Sequence, residues 1–137
     1  MSVNNLRIST TQFAVSDEPI VEESAASFRI VNGSRYISYV LPADNDRPAI
    51  STIIKINEKS LEIRRSGGIN GKVVYSLGEP ARSRLDLGFS FLDITNETDY
   101  LAIAELGSNL SVTVRYKLFI NGEFVSDCET VLMLASV

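Results

Sequence analysis

The sequence contains no histidine. A Ser-His-Asp or Cys-His arrangement is therefore impossible within the chain, and the side chain that most often shuttles protons near neutral pH is missing. Cys128 is the single cysteine. It excludes an internal disulfide and suits a reducing compartment. With no imidazole and one thiolate at most, a zinc, iron or copper site lacks its usual ligands. No apolar run approaches the about 20 residues that cross a bilayer as a helix. The opening "MSVNNLRIST" has no basic segment followed by an apolar core, so a signal peptide is not expected and a cytoplasmic location is. Basic excess is also lacking. The net charge is −4, which disfavours both a phosphate backbone and an anionic membrane as partners.

What is present reads as β-structure. A chain of 137 residues with 45% apolar and 22% charged residues fits one domain, 1–137, with a substantial core. In "NLSVTVRYKLFING", Leu110, Val112, Val114, Tyr116, Leu118 and Ile120 share one phase, and Ser111, Thr113, Arg115 and Lys117 the other. That period of two buries one face and wets the other. Asn121-Gly122 and Asn32-Gly33 are hairpin turns by composition, because a type I′ turn needs positive φ twice. In "EFVSDCETVLMLA" the alternation falters across Asp127 to Glu129, where a bulge or change of face is expected. "GEPARS" reads as a loop, and "RLDLGFSFLDI" and "DYLAIAEL" as strands joined by "TNET". The whole gives about ten short strands with no helical period. Consecutive hairpins favour an all-β, antiparallel meander, which removes its edges most simply by closing into a barrel.

The stretch "SLEIRRSGGINGKVVY" carries two adjacent arginines. Leu61, Ile63 and Arg65 share the inward phase, while Glu62 and Arg64 face solvent. An inward arginine needs a partner or an exit to water. Arg65 is thus either a ligand anchor at the barrel mouth, able to hold a carboxylate bidentately, or a structural arginine that closes the barrel end. The structural role is the commoner one. Ser66, Gly67 and Gly68 are read as a structural turn.

These residues resemble a known family. "ISTIIKI" followed by "LEIRRSGGINGKVVY" is similar to the YwiB-like family of small bacterial proteins of unknown function, through Thr52, Arg65, Ser66 and Gly67. "RYISYVL" resembles the family's Tyr-Ile/Leu-Ser-Tyr strand through Tyr36, Ser38 and Tyr39, and "VRYKLFINGEFVSD" its penultimate hairpin. The chain departs from the family pattern at Val40 and Leu41, where acids are usual, and in "LDLGFS", where only the aromatic Phe89 is kept. The resemblance implies a calycin (lipocalin-like) β-barrel of about 8–10 strands and no established activity.

Other candidates read more simply. Ser66 has no histidine base. Gly67, Gly68 and Gly71 have no following helix to cradle a phosphate. Asp44 and Asp46 lack the remainder of a calcium loop. Glu22-Glu23 and Asp17-Glu18 read as surface charge, and Cys128 as an inert strand thiol. No cofactor is expected, and an enzyme built on carboxylates or lysine ranks last. The favoured function is non-catalytic binding of a small, partly apolar or carboxylate-bearing ligand in or at the barrel mouth. Arg65 would be its anchor, with Tyr39 and Tyr116 as wall residues. The alternative is an interaction or structural module, with a homodimer among the options, whose interior is filled by residues such as Leu87, Phe89, Phe91 and Tyr116. The missing histidines generate one expectation of their own. Elemental analysis of the purified protein after chelator washing should find no stoichiometric zinc, iron or copper; about one such metal per chain would contradict it.

Overall fold

A computed structural model describes residues 2–136. The expected domain limits at 1 and 137 lie outside these residues. The described chain forms ten strands: β1 (Ser2–Gln12), β2 (Ile20–Val31), β3 (Ser34–Leu41), β4 (Ile50–Ile56) and β5 (Ser60–Gly67), then β6 (Asn70–Ser76), β7 (Pro80–Asp86), β8 (Phe91–Leu106), β9 (Asn109–Ile120) and β10 (Glu123–Ser136). Each pairs antiparallel with its sequence neighbours, and β10 returns to β1, so the meander is a closed barrel. The closing ladder runs from Asn4–Ser136 to Gln12–Cys128.

The alternating phases decide which residues fill the barrel. In β9, Leu110, Val112, Val114, Tyr116 and Leu118 are buried. Their outward neighbours pair across the strands, Arg115 Nε with Glu129 Oε2 at 2.8 Å and Lys117 Nζ with Asp127 Oδ1 at 2.9 Å. Asn32-Gly33 and Asn121-Gly122 both turn with positive φ at each residue, 51° and 82°, then 51° and 83°, as the hairpin twist requires. The short turns after β2, β4, β6 and β8 lie at one end, the base. The connections 13–19 and 42–49 lie at the other, the mouth. Toward the base the interior is solid. Ile37, Ile54, Ile56, Leu61, Val112 and Val114 have no exposure, each stabilising the fold by about 1.5–3 kcal/mol. An ion pair between Arg35 and Glu105 ties β3 to β8 across this end.

Several expectations are corrected. "TNET" (95–98) is no loop but the middle of β8, and β7 begins inside "GEPARS". The break falls at 87–90, where Gly88 has φ 91° and its N–H donates to Asp86 Oδ1. Asn96 and Thr98 are polar but inward and buried, which made a strand interior look like a turn. The same cause misplaced the bulge of β10. It lies between Phe124 and Ser126, while Ser126, Cys128 and Thr130 continue the inward phase without interruption. Phe89 and Phe91 are 89% and 56% exposed and do not fill the barrel; aliphatic side chains and Tyr116 do. Ser66 is not in the turn but in β5, opposite Ser51. Gly67 ends the strand and Gly68 starts the connection.

Gly71 sets the spacing of β6 and β7. With φ +130°, a Cβ there would lie 2.3 Å from the Arg84 carbonyl oxygen. Gly71→Ala combines a backbone clash with an unfavourable φ and should destabilise by about 2–4 kcal/mol. Urea unfolding checks this; a loss below about 0.5 kcal/mol, the range of ordinary surface changes, would contradict the close approach.

Candidate functional site

Register places a row of unlike side chains just inside the mouth. Tyr39 of β3 lies opposite Thr52 of β4, Thr52 opposite Arg65 of β5, and Arg65 opposite Gly71 of β6. Tyr39, Thr52 and Arg65 share the inward phase of their strands, while a Cβ at Gly71 would meet the Arg84 carbonyl oxygen of β7. Arg64 faces outward, with its side chain 62% exposed, and bonds Glu62 at 3.2 Å. The adjacent arginines thus occupy opposite faces of one strand.

The row is completed from β2. The Tyr39 hydroxyl donates to Glu22 Oε1 at 3.2 Å. Arg65 Nη2 lies 3.9 Å from Glu22 Oε2, with the two side chains 30% and 34% exposed. That is an ion pair without a hydrogen bond. The base offers a contrast, since Arg35 Nε donates to Glu105 Oε1 at 2.6 Å. One arginine is held by its acid; the other stands beside its acid with donors to spare. Burial pushes the Tyr39 hydroxyl up to about 12, and the Glu22 carboxylate adds to this, while Arg65 and Thr52 oppose it.

A second polar set lies deeper. The Tyr75 and Tyr116 rings meet edge to face, with centroids 4.7 Å apart. Tyr116 Oη lies 3.0 Å from Thr130 Oγ1, which lies 3.2 Å from Thr10 Oγ1. Burial raises both phenols, and the neighbouring Tyr116 raises Tyr75 further, while the charge of Arg65 lowers it. Cys128 is also raised by burial and is 2% exposed, a setting that suppresses thiolate chemistry. On the other side of the mouth, Val73, Leu85, Leu92, Ile120 and Val125 pack partly buried against the core. The mouth is therefore amphipathic, with the β2–β5 side polar and charged and the β6–β10 side apolar.

The structure brings Arg65 and Tyr39 together through Glu22. Tyr116 does not line the same place. It is 6% exposed and meets Tyr75, not Arg65. Ser66 points outward, and Lys72 on the neighbouring strand pairs with Glu62 at 3.6 Å. The turn is held by Asn70, whose side chain accepts from the Gly67 N–H and donates to the Gly67 carbonyl. Asp44 is used within its own loop, accepting from the N–H groups of Asp46 and Arg47. Among the described residues no three His, Cys, Asp or Glu side chains converge on a metal position. Among the same residues there is no helix long and apolar enough to cross a membrane.

Glu22 is the residue missed by the sequence reading, which assigned it to surface charge. A signal existed, because Glu22 shares its phase with the buried Ala26 and the core-packed Phe28. Ile20 and Val21 obscured it, since both are apolar and both exposed at the strand end.

The chain was compared with known proteins. A family model described as Domain of unknown function (DUF1934) matches residues 4–132. No curated protein matches the chain. Among solved structures, the crystal structure of the ywiB protein from Bacillus subtilis is similar with a TM-score of 0.81 and 13% identity. That alignment covers 99% of this chain and 92% of the other. At that identity the likeness concerns the fold.

The position of Tyr39 has a consequence at alkaline pH. Its folded value of about 12 lies above the unfolded value of about 10, so the folded state keeps a proton that the unfolded state loses. Its contribution is fully present below about pH 10 and is lost as pH rises toward about 12, amounting to about 2–3 kcal/mol. Urea unfolding at pH 9 and pH 11.5 should show a smaller alkaline loss in Tyr39→Phe than in the wild type. Equal losses would contradict the buried, acid-facing hydroxyl.

Proposed function

Given that the chain belongs to the family described as Domain of unknown function (DUF1934), whose description names no activity, we propose that this barrel binds, without catalysis, a small ligand with an anionic head and an apolar body at its mouth. The observation that carries the reading is the difference between the two inward arginines. Arg35 is hydrogen-bonded to Glu105, whereas Arg65 stands 3.9 Å from Glu22. A guanidinium offers a planar fork that matches a carboxylate. At 30% side-chain exposure Arg65 is screened less than a surface arginine and still reachable from solvent.

The surroundings fit the same ligand. The apolar side of the mouth, with Val73, Leu85, Leu92, Ile120 and Val125, receives an alkyl or aryl body. The deeper barrel is filled by fully buried Ile37, Ile54, Ile56 and Leu61, so the ligand sits at the mouth rather than along the axis. Glu22 repels an incoming carboxylate and partly neutralises Arg65, which keeps binding weak and reversible. Tyr39 turns its hydroxyl from Glu22 to the ligand. A cytoplasmic setting suits the single buried Cys128.

Decanoate is a suitable probe, with titration calorimetry as the readout. Arg65→Gln should weaken its binding at least about tenfold, the loss expected for a charge-assisted hydrogen bond to an ionised group. Glu22→Gln should tighten it by removing a like charge. Both variants should change stability by no more than about 1 kcal/mol, because the pair is loose and partly exposed. Equal affinity of wild type and Arg65→Gln would overturn the proposal.

A further inference from the structure

Charge is unevenly distributed around the outer wall of the barrel. One row of outward residues runs from Arg29 through Tyr36 and Lys55 to Glu62 and Val74. The next row toward the mouth runs from Ile53 through Arg64 to Lys72. The two β6–β7 rungs, extended along the same register, set Lys72 beside Arg84 and Val74 beside Arg82. Asp93 of β8 closes the second row opposite Arg84. The two rows together hold six cations, Arg29, Lys55, Arg64, Lys72, Arg82 and Arg84, against two acids, Glu62 and Asp93. Six against two leaves a surplus of four positive charges on this belt, in a chain whose net charge is −4.

Pairing inside the belt does not remove the surplus. Glu62 is shared by Arg64 at 3.2 Å and Lys72 at 3.6 Å. Asp93 is shared by Arg84 at 3.2 Å and Arg82 at 3.7 Å. These four cations keep side-chain exposures between 48% and 77%. Arg29 and Lys55 have no acid partner among the described residues. They lie over the Tyr36 ring instead, 5.8 and 5.9 Å from its centroid. Lys72 also stands directly opposite Arg64. Like charges facing across strands are destabilising, and an anionic partner would relieve that repulsion.

We propose that the belt docks an extended, acidic polypeptide segment. The rows cross seven of the ten strands, β2 to β8, about 30 Å around the wall at about 4.8 Å per strand. A rigid globular partner meets only part of so curved a surface, whereas an extended chain can wrap it. Four of the six cations are arginines, and the guanidinium fork pairs a carboxylate with two hydrogen bonds. Ile53, 43% exposed, adds an apolar contact within the belt. A nucleic-acid strand fits less well, because its bases stack on free ring faces. The rings at the belt already carry cations, Arg29 and Lys55 on Tyr36 and Arg84 on Phe91 at 5.1 Å. The belt is independent of the mouth, since Arg65 faces inward.

Fluorescence anisotropy of a labelled oligoglutamate of about 12 residues, long enough to span the belt when extended, tests this with the full chain. A labelled oligothymidylate of equal charge is the second probe. The salt is about 0.1 M, so that charges more than about 10 Å away are screened. Oligoglutamate should bind saturably. The triple variant Arg64→Ala, Lys72→Ala, Arg84→Ala should bind it at least about tenfold more weakly, since each exposed ion pair is worth up to about fivefold. The triple variant Arg7→Ala, Arg115→Ala, Lys117→Ala removes the same charge from β1 and β9 and should match the wild type within about threefold. All six side chains are exposed, so both variants should keep the circular dichroism spectrum of the wild type. Equal losses in the two variants would reduce the attraction to net charge and overturn the proposal, as would no saturable binding of oligoglutamate. Oligothymidylate bound as tightly as oligoglutamate, and lost in the belt variant, would assign the belt to nucleic acid and overturn the polypeptide. Self-association in sedimentation equilibrium that disappears in the belt variant would assign it to a second copy of the chain and overturn it as well.

Discussion

Closure of the wall by the β1–β10 ladder, from Asn4–Ser136 to Gln12–Cys128, removes the two free edges that a ten-stranded meander would otherwise expose. It joins the two ends of the chain, so it carries the largest loop-closure cost in the molecule. It also makes the inward phase of every strand part of one shared interior. A residue's role then depends on where its strand meets the others around the cylinder. Leu132 and Leu134 are buried because β1 supplies Leu6 and Ile8 beside them. Thr130 finds Thr10 and Tyr116 because the ring is closed.

That shared interior is uneven. Aliphatic residues fill it toward the base, where the Arg35–Glu105 pair spans the end. Toward the mouth the inward positions carry Glu22, Tyr39, Thr52 and Arg65. Buried polar groups are costly unless bonded, and the Tyr116–Thr130–Thr10 set is bonded. At the mouth the bonding is incomplete, which is the physical basis for the functional reading.

The hydrogen-bonded wall is also incomplete in two places. Between β6 and β7 it is reduced to Asn70–Asp86 and Gly71–Leu85. There Asn96 of β8 reaches across and donates to the Val74 carbonyl at 3.2 Å. Its oxygen, with Ser83 Oγ and Thr98 Oγ1, is buried without a protein partner. That seam is bounded by the 77–79 turn at one end and by Gly71 at the other. The β2–β3 ladder likewise stops short of the mouth, at Ser27–Ser38.

Much of the fold was legible in the sequence because strand phase and turn chemistry are local. The alternation of β9, the two Asn-Gly turns and the opposite orientations of Arg64 and Arg65 needed no tertiary information. The element boundaries failed where the interior is polar. Asn96, Thr98, Ser126 and Cys128 sit inward on regular strands, and a rule that equates inward with apolar reads them as turns or bulges. Glu22 failed for the converse reason, since an exposed apolar pair at the strand end hid its phase. By itself the sequence determined that the chain is an antiparallel β-meander without histidine chemistry and that Arg65 points inward. Only the tertiary structure decided what Arg65 meets. Glu22, Tyr39 and Thr52 come from three other strands, and their distances to the guanidinium depend on the register and closure of the barrel, which no local pattern encodes.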